Sequence, residues 1–137
     1  MHLAILATVF NGRSDPGFSA VPVIPVVDIF AGAGGLGEGF AAYRAQGSNE
    51  GPFRVALSAE MDAHAVRTLR TRAFFHQFPK GQAPDSYYAY ASGAVDLPFT
   101  DATRAQWDAA QCEVIQVELG EKKDDALLDT RIAQVAA

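Results

Sequence analysis

The sequence predicts an α/β domain of the doubly wound kind, on three observations. The short apolar run "VVDIF", residues 26–30, leads into a burst of five glycines between Gly32 and Gly39. Helical spacing follows at Leu36, Phe40 and Tyr43. A second strand-like run, "FRVALSAE" at 53–60, ends in an acid and passes at once into another helical segment. Strand, glycine loop, helix, strand, acid and helix form the opening βαβα of such a domain.

Each element has its own signal. Residues 1–20 hold the turn-rich "NGRSDPG" and no long period, which predicts an irregular extension with one short strand in "LAILATVF". Pro22 and Pro25 argue against a central ladder before residue 26, and "VVDIF" is a clean, wholly buried type of strand suited to a parallel sheet. The first helix is expected from Gly35 to about Ala45, and "QGSNEGP" reads as a loop. The second helix, 62–78, has Asp62 as its N-cap, with Ala65, Leu69 and Phe75 among its apolar positions. Residues 79–99 carry no firm period and read as a loop with one helical turn. A helix is expected over 101–119, capped by Asp101, with Trp107, Ala110, Val114 and Val117 on one face and Gly120 as its stop. "DDALLDTRIAQVAA" predicts a last helix with Leu128, Ile132 and Val135 on one side.

Composition narrows the class. The chain has 137 residues, 49% of them hydrophobic and 20% charged, as in an ordinary single globular domain. No apolar run is long enough to span a bilayer, and no basic leader or A-x-A-like cleavage site marks a signal peptide. The lone Cys112 excludes an internal disulfide framework, and a cytoplasmic setting is expected. A net charge of -5 argues against strong electrostatic binding of nucleic acid by these residues alone.

The glycine loop carries the chemistry. Gly32, Gly34 and Gly37 satisfy G-x-G-x-x-G between a strand and a helix, where bare backbone lets a ligand lie against the peptide plane. Glu60 follows Gly37 by 23 residues, at the end of the next strand, where an acid accepts hydrogen bonds from ribose hydroxyls. The pair signals a nucleoside cofactor without choosing between a dinucleotide and S-adenosylmethionine. Asp28 favours the second. A carboxylate is unhelpful beside a pyrophosphate, whereas the ammonium and sulfonium of S-adenosylmethionine are attracted to it.

"DIFAGAGGLGEGF" resembles the first motif of DNA cytosine-5 methyltransferases, D-[LI]-F-[AS]-G-x-G-G-[LF]-[SG]-x-G-F. "SAEMDAHAVRTLRTR" resembles their second, E-x-D-x-x-A. The resemblance covers roughly residues 26–72, about half of the chain. It implies an incomplete Rossmann-like S-adenosylmethionine-dependent methyltransferase fold: an N-terminal extension at 1–20, a cofactor-binding βαβα portion at 21–79, and a loop with a helical insertion at 80–137, before a missing catalytic strand. It also implies that Phe30, Ala31, Gly32, Gly34, Gly35 and Leu36 line the methionine and adenosine of S-adenosylmethionine. Glu60 would take the ribose hydroxyls, and Met61 would touch adenine.

Other family features do not occur. There is no Pro-Cys segment for the nucleophile, no E-N-V, no Q-x-R-x-R and no target-recognition region. Cys112 sits in "AQCEV" without a preceding proline and reads as an ordinary thiol. No acid for the third motif stands out after residue 72. The chain is therefore expected to transfer no methyl group by itself and to reach DNA only through the remainder of an enzyme, as a fragment or as one subunit with a complementary catalytic subunit. A catalytically inactive regulatory protein is the alternative, and an NAD-dependent oxidoreductase fragment is disfavoured by Asp28. His64 and His76 lack partners at metal spacing, so no metal site is expected. Arg67, Arg70 and Arg72 read as a solvated basic face. With only two strands evident, an uncovered sheet edge is expected either to self-associate or to be buried by the C-terminal helices.

Overall fold

The computed structural model describes residues 3–6, 23–47 and 51–137. The chain order is β1 (Leu3–Leu6), β2 (Ile24–Ile29), α1 (Gly35–Ala42), β3 (Phe53–Glu60), α2 (Ala63–His76), α3 (Asp85–Ala91), a 3-10 turn (Asp101–Thr103), α4 (Arg104–Glu113), β4 (Val114–Gln116) and α5 (Lys122–Ala136). Apart from β1, the expected N-terminal extension lies outside the described residues.

The sheet runs in the order β1-β2-β3-β4. β2, β3 and β4 are parallel, and β1 is antiparallel to β2. Pro25 belongs to β2, although the sequence places the clean strand from residue 26. It pairs with Arg54 on one side and lies beyond the last β1 pair, Leu6 with Val26, so its missing N–H breaks no ladder on the other. β3 inserts one extra residue between Val55 and Leu57, which shifts the register against β2.

Successive residues of β2 and β3 point to opposite faces, and both faces are covered. Val27, Ile29, Leu57 and Ala59 meet Val117 and Leu128, with Ile132 and Val135 of α5 packed around them. On the other side Val66, Leu69, Ala73 and Phe74 of α2 pack with Ala31, Ala110 and Val114. The edge of β2 is covered by β1, whereas α5 lies on a face of the sheet. The other edge of the two predicted strands, that of β3, is covered by β4.

The helix expected over 101–119 divides. Its apolar 3-4-3 spacing holds for Trp107 and Ala110, but Val114–Gln116 leaves the helix and pairs Ser58–Glu60 as a third parallel strand. Val114 and Val117 therefore serve opposite faces of the sheet. Helical periodicity could not distinguish the two, because a short apolar run fits either element, and the open edge of β3 decided. Gly120, at φ 101, makes the turn from β4 into α5 and does not close a long helix. Residues 80–137 accordingly contribute a strand as well as loop and helix.

In α2 the buried stripe is Val66, Leu69, Ala73 and Phe74, one residue round from the expected Ala65 and Phe75. Asp62 caps it as expected, accepting from Ala65 N–H at 2.8 Å. In α1 the expected apolar stripe is the outer one. Leu36 is 39% and Tyr43 51% exposed, while Gly37 faces the sheet. Among the described residues no helix is long and apolar enough to cross a membrane.

Phe74 is fully buried, edge-on to both Phe78 and Trp107. Phe74→Ala is expected to cost about 3–5 kcal/mol of folding free energy through lost burial and a residual cavity. Urea unfolding with an unchanged m value measures it; a loss below about 1 kcal/mol would mean that α2 and α4 do not share one core.

Candidate cofactor site

The glycine loop is built from a run of left-handed backbone. Phe30 turns the chain out of β2 at φ 61, followed by Gly32 at φ 56 and Gly34 at φ 88. Such a φ is costly for a side-chain-bearing residue, and Phe30 adopts it where the loop leaves the sheet. Ala31 N–H donates to Ala59 C=O at 3.2 Å, Gly34 N–H to Ala31 C=O at 2.9 Å, and Glu38 N–H to Gly34 C=O at 2.9 Å. The loop is thereby tied to β3 at one end and wound into α1 at the other.

Glu60 closes this arrangement. Its Oε2 accepts Gly32 N–H at 2.8 Å, and its Oε1 accepts Met61 N–H at 2.9 Å and Asp62 N–H at 3.0 Å. Partial burial alone would raise its pKa, and the neighbouring Asp62 charge acts in the same direction. The N–H groups of Asp62, Gly32 and Met61 outweigh both and hold the carboxyl below its ordinary value. At neutral pH the carboxylate is ionised and aimed at the loop.

Phe30, Glu60 and Met61 line one shallow crevice at the carboxyl ends of the parallel strands, together with Val117 and Leu119. This is where doubly wound sheets bind ligands. Val117 and Leu119 were not legible as site residues, because the sequence reading placed them in a helix. Their position follows from β4: Val117 N–H donates to Glu60 C=O at 3.0 Å, and Gln116 Nε2 to Met61 C=O at 3.0 Å. The one available signal was the β-branched run ahead of Gly120.

The remaining sequence-derived residues lie elsewhere. Ala31 is buried in the core, so only its backbone belongs to the loop. Gly34 is buried too: a Cβ there would lie 2.8 Å from Leu69 Cδ2. Its bareness permits the close approach of Leu69 from α2. Gly35 and Leu36 face outward from α1, in an apolar depression shared with Gly39, Phe40, Tyr43 and Phe53. Asp28 is 1% exposed and sits behind the loop, with Oδ2 beside Gly37 under α1. Asp28 does not line the crevice that Phe30, Glu60 and Met61 share.

Asp28 instead lines a cavity of about 320 Å³ between α1 and α2, with Glu38, Arg54, Ser58, Arg72, His76 and Glu113 around it. Glu38 bonds His76 Nε2 at 2.8 Å and lies 4.0 Å from Arg72, joining the two helices across its rim. Among the described residues no group of three or more His, Cys, Asp or Glu could hold a metal ion. Cys112 is exposed and free.

Compared with known proteins, the chain is similar to a Type II methyltransferase of Bacillus paralicheniformis, at 34% identity over 65 residues. The similar segment is 47% of this chain and 13% of that protein. No family model matches, and no solved structure matches.

The cavity generates a pH dependence. Burial raises the pKa of Glu113 to about 7; the charges of His76 and Arg54 oppose the shift, and Glu38 adds to it. The folded chain therefore keeps this proton to about pH 7, while the unfolded chain releases it near 4.5. Stability from this group is full below the lower value and is lost as pH rises through the upper one. Glu113→Gln is expected to gain roughly 1–2 kcal/mol on the parent near pH 8, after allowance for partial solvation, and nothing near pH 4. Denaturant unfolding at both values decides; an equal difference at both removes Glu113 as the titrating group.

Proposed function

We propose that this chain is the S-adenosylmethionine-binding portion of a DNA cytosine-5 methyltransferase, acting together with a catalytic part that holds the nucleophile and the DNA-contacting region. The observation that carries the reading is the ionised Glu60 at the carboxyl end of β3, facing the N–H groups of a glycine loop at the end of β2. The resemblance of "DIFAGAGGLGEGF" to the family's first motif and the similarity to a Type II methyltransferase support it. The chain spans 13% of that relative, so the whole enzyme's activity belongs to the proposal.

The residues present suit the cofactor's chemistry. A ribose presents two hydroxyl donors, and Glu60 is an ionised acceptor at the crevice. Adenine presents a flat apolar face, and Phe30, Met61 and Leu119 are large, partly exposed apolar side chains around the same crevice. The backbone of the loop holds N–H donors near the N-terminus of α1, which favours the carboxylate of the cofactor's methionine part. S-adenosylmethionine supplies the electrophilic methyl group. The residues of this chain bind and orient it, and the acceptor is position 5 of a cytosine in DNA. A net charge of -5 assigns most phosphate contacts to the remainder of the enzyme.

Titration calorimetry with S-adenosylhomocysteine tests the reading. Measurable binding is expected, with NAD giving none. Glu60→Ala is expected to weaken binding by roughly 1.5–3 kcal/mol for each charge-assisted bond lost, about 10-fold to 100-fold or more. Asp28→Asn, behind the loop, is expected to change stability more than affinity. If Glu60→Ala binds as tightly as the parent, the proposal loses its physical basis.

A further inference from the structure

The cavity between α1 and α2 is separate from the crevice that holds Glu60, and the two share no lining residue. Its volume of about 320 Å³ is one that small-molecule sites occupy. Its floor is the face of the sheet. Asp28 of β2 pairs in register with Ser58 of β3, and Ser58 with Val114 of β4, so the three stand in one row across the strands. Asp28 and Ser58 are both buried, and Asp28 Oδ2 lies under Gly37 of α1. Glu113, the residue before Val114, adds a second carboxyl at this inner end.

The outer end carries the opposite charge. Arg54, earlier on β3 than Ser58, lines the cavity and is exposed, as are His76 and Gln77 at the end of α2; these three mark its mouth. Arg72 lies on the wall one turn before His76. Its guanidinium is 4.0 Å from Glu38, beyond hydrogen-bond length, while Glu38 is engaged by His76 at 2.8 Å. Between the two ends the walls are apolar, at Val55, Leu69 and Ala73. Carboxyls and a hydroxyl at a buried end, apolar walls, and guanidinium groups toward the mouth suit a molecule with an ammonium group at one end and a carboxylate at the other. Ser58 and Arg54 are about 13 Å apart along the strand, and the length of the Arg54 side chain narrows that gap. An α-amino acid, with both charges attached to one carbon, is too short to meet both ends.

We infer that this cavity is a second ligand site, for a small linear zwitterion whose ammonium group lies against Asp28 and Ser58 and whose carboxylate lies against Arg54 and Arg72. The short hydrocarbon between the charges runs along Val55, Leu69 and Ala73. The site rests on the cavity alone and is independent of the cofactor assigned to the crevice in the function proposed above.

Titration calorimetry with 5-aminopentanoate tests it, with butylamine and pentanoate as probes of one charge each. The titrations are run at pH 8, above the value of about 7 to which burial raises Glu113, so that the inner end is anionic. The zwitterion is expected to bind roughly 10-fold or more tighter than either single-charge probe. Arg54→Gln, a change at an exposed side chain, is expected to weaken it roughly 10-fold with the melting temperature kept. Glu60→Ala should leave its affinity unchanged, as should saturating S-adenosylhomocysteine. In amide NMR spectra the largest shifts on binding are expected at Gly37, Ser58 and Arg72. No binding of the zwitterion, equal binding of all three probes, or full affinity in Arg54→Gln would each overturn the site and leave a hydrated cavity. Competition with S-adenosylhomocysteine, or shifts centred on Gly32 and Met61, would place the zwitterion in the crevice and overturn it as well. Loss of S-adenosylhomocysteine binding with the zwitterion still bound removes only the function proposed above.

Discussion

The carboxylate of Glu60 joins parts of the chain that would otherwise be only neighbours. One oxygen holds Gly32 of the loop, and the other holds the first two N–H groups beyond β3. The loop after β2, the end of β3 and the approach to α2 therefore share one acceptor. Its charge is maintained by those donors in spite of burial and the neighbouring Asp62. The same carboxylate is the one we propose for the ribose hydroxyls. In the proposed site, hydroxyls would join or replace the Gly32 N–H as donors to the same lone pairs.

The glycines of the loop divide by physical role. Gly32 supplies an N–H to Glu60 from a left-handed backbone, and a Cβ there would meet nothing within 4 Å. Gly34 has the same handedness, but a side chain on it would strike Leu69 in the core. Gly37 is bare because Asp28 and Val55 lie beneath it, each 3.4 Å from where a Cβ would stand. A motif that reads as a single cradle is therefore part open surface, at Gly32, and part helix packing, at Gly34 and Gly37. The close packing of α1 and α2 over the sheet leaves Asp28 behind the loop, inside a cavity of mixed charge.

β4 shows how the sheet recruits its members. Three residues of strand sit between two helices, in a stretch whose apolar spacing suits a helix as well. Pairing with Ser58–Glu60 satisfies their backbone groups, and it brings Val117 and Leu119 to the crevice that contains Glu60. One strand thus completes the sheet and supplies part of the candidate site.

The sequence by itself determined the strands at 26–29 and 53–60, the Asp62 cap, the course of α2 and α5, and the pairing of a glycine loop with an acid one strand later. These are local matters of φ sign, capping chemistry and periodicity, so a few neighbouring residues suffice to specify them. Only the tertiary structure decided that Val114–Gln116 is a strand, that Leu36 and Tyr43 face outward, that Asp28 lies under α1, and that β1 pairs with β2. Each of these depends on which surface another segment leaves open: the free edge of β3, the side of α1 not facing α2, the space beneath Gly37 and the outer edge of β2. A pattern of residues records what a segment can bury, and the rest of the fold sets which surface is available to bury it.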